Sequence, residues 1–231
     1  KYDESEHAKN VAKHLGTDHY AFQLTEDEVE EILSDIIFHY DEPFADASAY
    51  PTMIVSKLAR QHVTVTLSGD GADELFLGYG MYNWASRLAN PIVQTFRKPV
   101  YWATQHAGLI YKRGGLLLDY PSLEHIHTHI FSQEQYFHSE KDLKHLLLDE
   151  NFNFDRINEE ANPEKRNLSP KGKQSFWDIN HYLKDDLLVK VDRASMKYSL
   201  ESRVPYLDHR VIEYAINIDP DLRYHKGISK Y

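Results

Sequence analysis

Apolar residues recur along the first third of the chain at two different periods. Ala8, Val11, Ala12 and Leu15 stand at i, i+3, i+4 and i+7, one face of a helix. Asp3-Glu4-Ser5-Glu6 precedes them as an acidic capping box, and Gly16 follows as the expected C′ residue. From His19 to Leu24 the period shortens to two, with Tyr20, Phe22 and Leu24 on one side, which predicts a strand. Thr25-Glu26-Asp27-Glu28 caps a second helix whose Val29, Ile32, Leu33, Ile36 and Ile37 are expected to face a core. Pro51 suits the first position of a third helix, running to about Gln61. Val63 to Leu67 is β-branched and alternating, a second strand. Strand, helix, helix, strand predicts a parallel pair with a right-handed crossover.

That path constrains the segment Tyr40 to Tyr50. Both helices must run antiparallel to the strands, so the connection between them climbs back. Such a segment reaches at most about 36–40 Å when extended, against a helix of about 20 Å. Asp46 and Ser48 can therefore lie at the carboxyl ends of the strands, where open α/β sheets bind ligands. The competing reading makes them polar groups at a helix entry.

After the second strand the pattern gives way to turn chemistry, Ser68-Gly69-Asp70-Gly71, then to helix-favouring Ala72-Asp73-Glu74-Leu75-Phe76-Leu77. Strand, glycine-bearing turn and helix together aim backbone N–H groups at an anion. Asp70, Asp73 and Glu74 would repel a bare phosphate, and suit a magnesium-bridged phosphate or an ammonium. The dinucleotide fingerprint and the P-loop are both absent. Asp70 as N-cap, with Asp73 reaching back, explains the same residues without a ligand. One carboxylate can serve both readings.

The region Asn83 to about Lys165 has breaks at Pro91, Pro99, Gly114-Gly115 and Pro121, and no repeat. His125, His127 and His129 alternate, with His138 and His145 nearby, but no carboxylate or cysteine completes a metal shell. Residues 162–173 read as a polar surface loop. Leu187, Val191, Ala194 and Tyr198 then form a helix face, and Lys190, Arg193 and Lys197 a basic stripe that by itself reads as solvated. Asp208 is placed to cap a last helix carrying Val211, Ile212, Ala215 and Ile216.

The net charge of −10, without a Lys/Arg run, argues against nucleic acid. No cysteine means no disulfide, no thiolate zinc site and no cysteine nucleophile. No apolar run approaches the roughly 20 residues of a membrane span. A cytoplasmic location and no membrane partner are the expectations. The opening on Lys1 and the ending on Tyr231 lead us to expect a piece of a longer protein.

Ser68-Gly69-Asp70-Gly71-Ala72-Asp73-Glu74, followed by Phe76-Leu77-Gly78-Tyr79, resembles the SGEGSDE-FGGY segment of asparagine synthetases and related ATP-dependent amide-forming enzymes. Asp70, Ala72 and Leu77 depart from Glu, Ser and Gly there. Asp41-Glu42-Pro43-Phe44-Ala45-Asp46-Ala47-Ser48 is similar to the DEP-x-x-D-x-S stretch of bacterial members. Asp192, Arg193, Ser195, Met196, Glu201, Arg203, Val204, Pro205, Leu207 and Asp208 match the family's DRxSMxxxLExRVPxLD segment, in the same order along the chain.

The resemblance implies an α/β fold: a helix-rich partial parallel sheet of the adenine-nucleotide α-hydrolase, or ATP-pyrophosphatase, type. Its first strand and SGGxDS pyrophosphate loop would precede Lys1. One synthetase domain, 1–231, is expected, with an α/β part to about residue 86 and a helical part from about 87. The implied reaction is adenylation of the aspartate side chain by ATP, then attack by ammonia from a separate glutaminase half. By position, Ser68, Gly69, Gly71, Glu74 and Tyr79 belong to ATP and substrate binding, together with Asp46 and Ser48. Asp73 holds magnesium on the pyrophosphate, and Asp70 is the candidate base for ammonia. Arg193 binds an anionic group. Glu201 and Arg203 form a buried pair that orients the site, contact substrate, or merely fix a turn. Lacking the loop and a later basic segment, the isolated chain is expected not to make asparagine. An unpaired strand edge would favour self-association as a homodimer. Two alternatives stand beside this: a relative amidating or cyclising another carboxylic acid, and a non-catalytic nucleotide-binding module.

Overall fold

The computed structural model describes residues 3–22, 25–135, 145–146, 167–225 and 228–230. The chain divides into two compact units, one of residues 1–64 with 193–200 and one of residues 65–192 with 201–231. Each is described by itself. The described elements are mostly helical, with a small parallel sheet.

In the first unit the helix Ser5–Leu15 begins where the Asp3 carboxylate accepts the Ser5 N–H at 3.0 Å. It stops at Gly16, whose φ of +67° lets the Thr17 N–H return to the Ala12 carbonyl at 3.1 Å. Only Ala12 of the predicted face is buried, while Val11 and Leu15 are exposed. The helix Glu26–His39 likewise buries Ile32 and Ile36 but exposes Leu33 and Ile37. The stripe that packs is narrower than the stripe of apolar residues. Tyr40, Ala49, Met53, Ile54 and Ala194 complete this core.

Two expectations fail here. Residues 19–22 form no strand, and Tyr20 and Phe22 are exposed; Leu24 lies outside the described residues. Alternation prepares a segment for pairing, but a strand exists only if a neighbour takes its N–H and C=O groups. The crossover to residues 63–67 falls with it. The third helix is Ala49–Ala59, so Pro51 sits at its third position, where its missing N–H is still not needed.

In the second unit β1 (Val65–Leu67) pairs in parallel with β2 (Glu201–Arg203), Thr66 opposite Ser202. Val65 and Leu67 are exposed, so the alternation shows which side chains share a side without showing that the side is covered. The core gathers Leu77, Met81, Tyr82, Leu88, Tyr120 and Ile130 between short helices. Leu77 takes φ +56° while fully buried, at a position where the resembling segment carries glycine. The left-handed conformation costs about 1–2 kcal/mol, less than the about 2–5 kcal/mol that a buried leucine side chain contributes. Leu77→Gly is therefore expected to relieve strain yet lower stability by roughly 1–3 kcal/mol, read as a fall in the urea midpoint.

Residues 170–173, expected in a loop, open the helix Pro170–Asp178 instead. Ser169 Oγ accepts the Gly172 N–H at 3.1 Å and Pro170 takes the first position, a cap signal present in the sequence. Residues 162–166 lie outside the described set. A π-helical stretch Ile179–Leu187 follows and runs into the helix Leu188–Lys197. Beyond β2 and the short 3-10 turn Pro205–Leu207, Asp208 caps the helix His209–Asn217 through the Arg210 N–H, as its position predicted.

Candidate active site

The turn after β1 is held from outside itself. The Ser68 N–H donates to the Arg203 carbonyl at 2.8 Å, tying the turn to β2. The Ser68 hydroxyl donates to Asp70 Oδ2, and the Asp70 N–H reaches back to Ser68 Oγ at 3.3 Å. Gly71 then enters the helix Ala72–Leu75 at φ +83°, with Leu207 packed where a β-carbon would stand. Gly71, not Asp70, is the capping position, and no side chain caps it. The helix-cap reading of Asp70 and Asp73 is thereby set aside.

Asp73 pairs with Lys230 at 2.8 Å, and Lys230 also donates its N–H to the Phe76 carbonyl at 3.2 Å. Gly78 packs against both members of the pair, leaving no room for a β-carbon. Asp73 thus already holds a cation, an ammonium, at one carboxylate oxygen. Among the described residues no group of three or more His, Asp or Glu side chains is arranged to cage a metal ion. A magnesium ion at Asp73 would take its remaining ligands from phosphate and water, the usual manner for this hard cation.

Glu74, by contrast, is 1% exposed. Its Oε1 accepts the Tyr79 hydroxyl at 2.8 Å, and its carbonyl accepts Ser175 Oγ at 2.7 Å. Burial raises the Glu74 carboxyl above its usual range, against the pull of Tyr79. The Tyr79 phenol is raised too, by burial first and then by the charge of Glu74. Arg223 Nη1 donates to the Leu75 carbonyl at 3.0 Å, fixing the far end of the same helix.

Beneath this helix lies a group that sequence reasoning missed. Asp178 is fully buried and accepts Gln174 Nε2 at 3.0 Å, with the Tyr82 phenol beside it. Burial pushes its carboxyl up to about 8; Gln174 and Tyr82 pull the other way, and the charge of Glu74 adds to the push. Gln174 continues to His127, whose Nδ1 lies 3.0 Å from its Oε1, and His129 Nε2 lies 2.9 Å from the Leu116 carbonyl. Both histidines sit on the helix Ile126–Gln135; His138 lies outside the described residues. Nothing local in Phe176-Trp177-Asp178 marks its aspartate as neutral, because burial by other helices makes it so.

β2 carries the remaining predicted pair. Arg203 Nε meets Glu201 Oε1 at 2.8 Å with both side chains more than half exposed, so this is not a buried pair. Two residues apart on one strand they share a side, and their contribution in water is small. Arg203 serves the turn through its carbonyl.

The other predicted residues belong to the first unit. Asp46 Oδ1 accepts both the N–H (2.8 Å) and the hydroxyl (2.7 Å) of Ser48, an arrangement at the entry of the helix Ala49–Ala59. Arg193 Nη1 pairs with Asp41 Oδ2 at 2.7 Å and reaches the His39 carbonyl at 3.3 Å. The Tyr40 phenol is pushed up to about 12 by burial, with Asp46 adding and Arg193 opposing. The basic stripe is not a solvated face: Lys197 pairs with Asp35 at 2.5 Å, and Lys190, in the second unit, is buried. No helix among the described residues is long and apolar enough to cross a membrane.

A family model described as asparagine synthase matches residues 1–231. Asparagine synthetase (glutamine-hydrolyzing) 1 of Bacillus subtilis strain 168 is 32% identical over 236 residues, covering 100% of this chain and 37% of its own length. A putative asparagine synthetase (glutamine-hydrolyzing) of Mycobacterium tuberculosis H37Rv is 28% identical over 246 residues, covering 100% of this chain and 35% of its own length. A putative asparagine synthetase (glutamine-hydrolyzing) 2 of Methanocaldococcus jannaschii is 47% identical over 79 residues, 34% of this chain and 15% of its own length. The chain thus spans little more than a third of the first two relatives.

Proposed function

The chain belongs to the asparagine synthase family, and on that premise we propose that it carries the ATP-dependent amide-forming chemistry of such an enzyme, with the turn Ser68–Glu74 as its nucleotide and acyl seat. The acid activated would be aspartate, through its side-chain adenylate, and ammonia would come from a glutaminase part of the complete protein. The fold would be of the ATP-pyrophosphatase type, with residues 1–231 as one domain. The observation that carries the reading is Asp73. Its carboxylate holds a cation at 2.8 Å on a helix whose backbone is fixed by Ser175 and Arg223.

The residues divide the work by chemistry. Ser68, Gly69 and Gly71 supply a glycine-bearing turn close to which a phosphate can approach. Asp73 would hold magnesium, which when bound neutralises charge on the departing pyrophosphate. Asp70, oriented by the Ser68 hydroxyl, is the candidate to take a proton from an arriving ammonium, so that the ammonia released can attack the acyl carbon. Glu74 and Tyr79, bonded to each other below the turn, set its position. By the family resemblance alone, Arg193 would engage an anionic group, opening its pair with Asp41, and Asp46 and Ser48 would contact substrate.

The test is ATP–pyrophosphate exchange by the full-length protein. Exchange that depends on aspartate supports the reading. Exchange driven only by a different carboxylic acid would move it to a sister activity, and nucleotide binding with no exchange for any acid would leave a binding module. The 231 residues alone contain no SGGxDS loop and are expected to form no asparagine from ammonia.

A further inference from the structure

We infer that the cleft between the helices Ala72–Leu75 and His209–Asn217 is a second binding site, for an anion bearing an aromatic or aliphatic group, and that filling it frees Asp73. The cleft has a volume of about 750 Å³, inside the range of small-molecule sites. Phe76, Tyr206, Tyr214 and Leu222 give it apolar and phenolic walls, and its charged lining is Arg223 and Lys230. Phe76 and Tyr206 meet edge to face with centroids 6.0 Å apart, so one wall is a preformed aromatic corner. Among the described residues that line the cleft there is no Asp or Glu. The exposed Lys230 ammonium beside apolar walls selects an anion that brings apolar surface with it.

Lys230 connects the cleft to the turn. Its backbone is anchored to the Phe76 carbonyl, while its ammonium rests on Asp73. The pair is partly exposed, 47% on the lysine and 35% on the aspartate, so it holds only weakly. A four-carbon stem with a fixed backbone can turn its ammonium between two anions without moving the chain. An anion in the cleft competes for Lys230, and Asp73 is then left for a metal-bound phosphate. The second half of the inference rests on the reading of Asp73 as a cation seat; the first half does not.

The test uses full-length protein, with 2-naphthyl phosphate as the probe and 2-naphthol and inorganic phosphate as controls, by titration calorimetry. The probe is expected to bind better than either control. Lys230→Gln and Leu222→Glu, both at exposed positions, are each expected to weaken it by roughly tenfold. Bound probe is expected to tighten Mn²⁺ binding in the wild-type protein and not in Lys230→Gln. Equal probe affinity in wild type and both variants overturns the site, as does equal binding of 2-naphthol. Probe binding that depends on Lys230 but leaves Mn²⁺ affinity unchanged overturns the coupling. Absence of Mn²⁺ binding in wild type, with Lys230-dependent probe binding intact, overturns the reading of Asp73 and leaves the anion site standing.

Discussion

Asp73→Asn in the full-length protein is expected to lower aspartate-dependent ATP–pyrophosphate exchange by roughly 10²–10³-fold, the scale of losing one charged stabiliser of a polar transition state. The change keeps the size and hydrogen-bonding outline of the side chain and removes its charge. The structure says why folding should survive it. The carboxylate's only described charge partner is Lys230, and a pair this exposed contributes at most about 1 kcal/mol. The helix that carries residue 73 is held by other contacts, from Ser175 to the Glu74 carbonyl and from Arg223 to the Leu75 carbonyl. Activity should therefore fall while the thermal midpoint moves by a few degrees at most. A variant that keeps full exchange would remove Asp73 from the site. One that unfolds would show that the ion pair carries stability, which its exposure argues against.

The same residues show what could be read in advance. Gly16, Asp208 and the break at Pro91 acted where local chemistry placed them, because a cap or a stop depends on a few neighbouring backbone groups. The acidic turn was legible as a place but not as a structure. Its carboxylates satisfy the pattern of a helix cap and of a cation seat equally well. The choice is made by Gly71 taking the capping position and by Lys230, far away in sequence, arriving at Asp73. Residues 19–22 failed for the opposite reason: alternation was present and the partner was not. The Lys190–Lys197 stripe was misjudged because periodicity reports which residues share a face, not what that face meets. Asp178 gave no signal, since its chemistry comes entirely from the apolar surroundings that other helices bring to it.

Asp178 supplies the second large effect, on stability rather than turnover. Its carboxyl sits at about 8 in the folded protein against an ordinary 3.8, because burial penalises its charge. Across neutral pH the folded state keeps this proton and the unfolded chain releases it. The sign follows: this group favours folding least at alkaline pH, and stability declines as pH rises from about 4 toward 8. One proton can weaken folding by up to about 1.4 kcal/mol per pH unit in that window. Asp178→Asn removes the titration. The amide oxygen still accepts from Gln174, and its nitrogen occupies the place of the acid hydroxyl without a charge. The variant is expected to melt at or above the wild-type temperature at pH 7.5, and the gap is expected to narrow toward pH 5. Parallel melting curves across that range would mean that the wild-type carboxyl is ionised in place, paired with something other than Gln174 and Tyr82. Asp178→Leu separates the charge from the hydrogen bond. It also abolishes the pH slope, but leaves the buried Gln174 amide short of an acceptor, at a cost of about 1–3 kcal/mol. Glu74 adds to the push on Asp178, so a neutral Asp178 also spares Glu74 a second nearby charge.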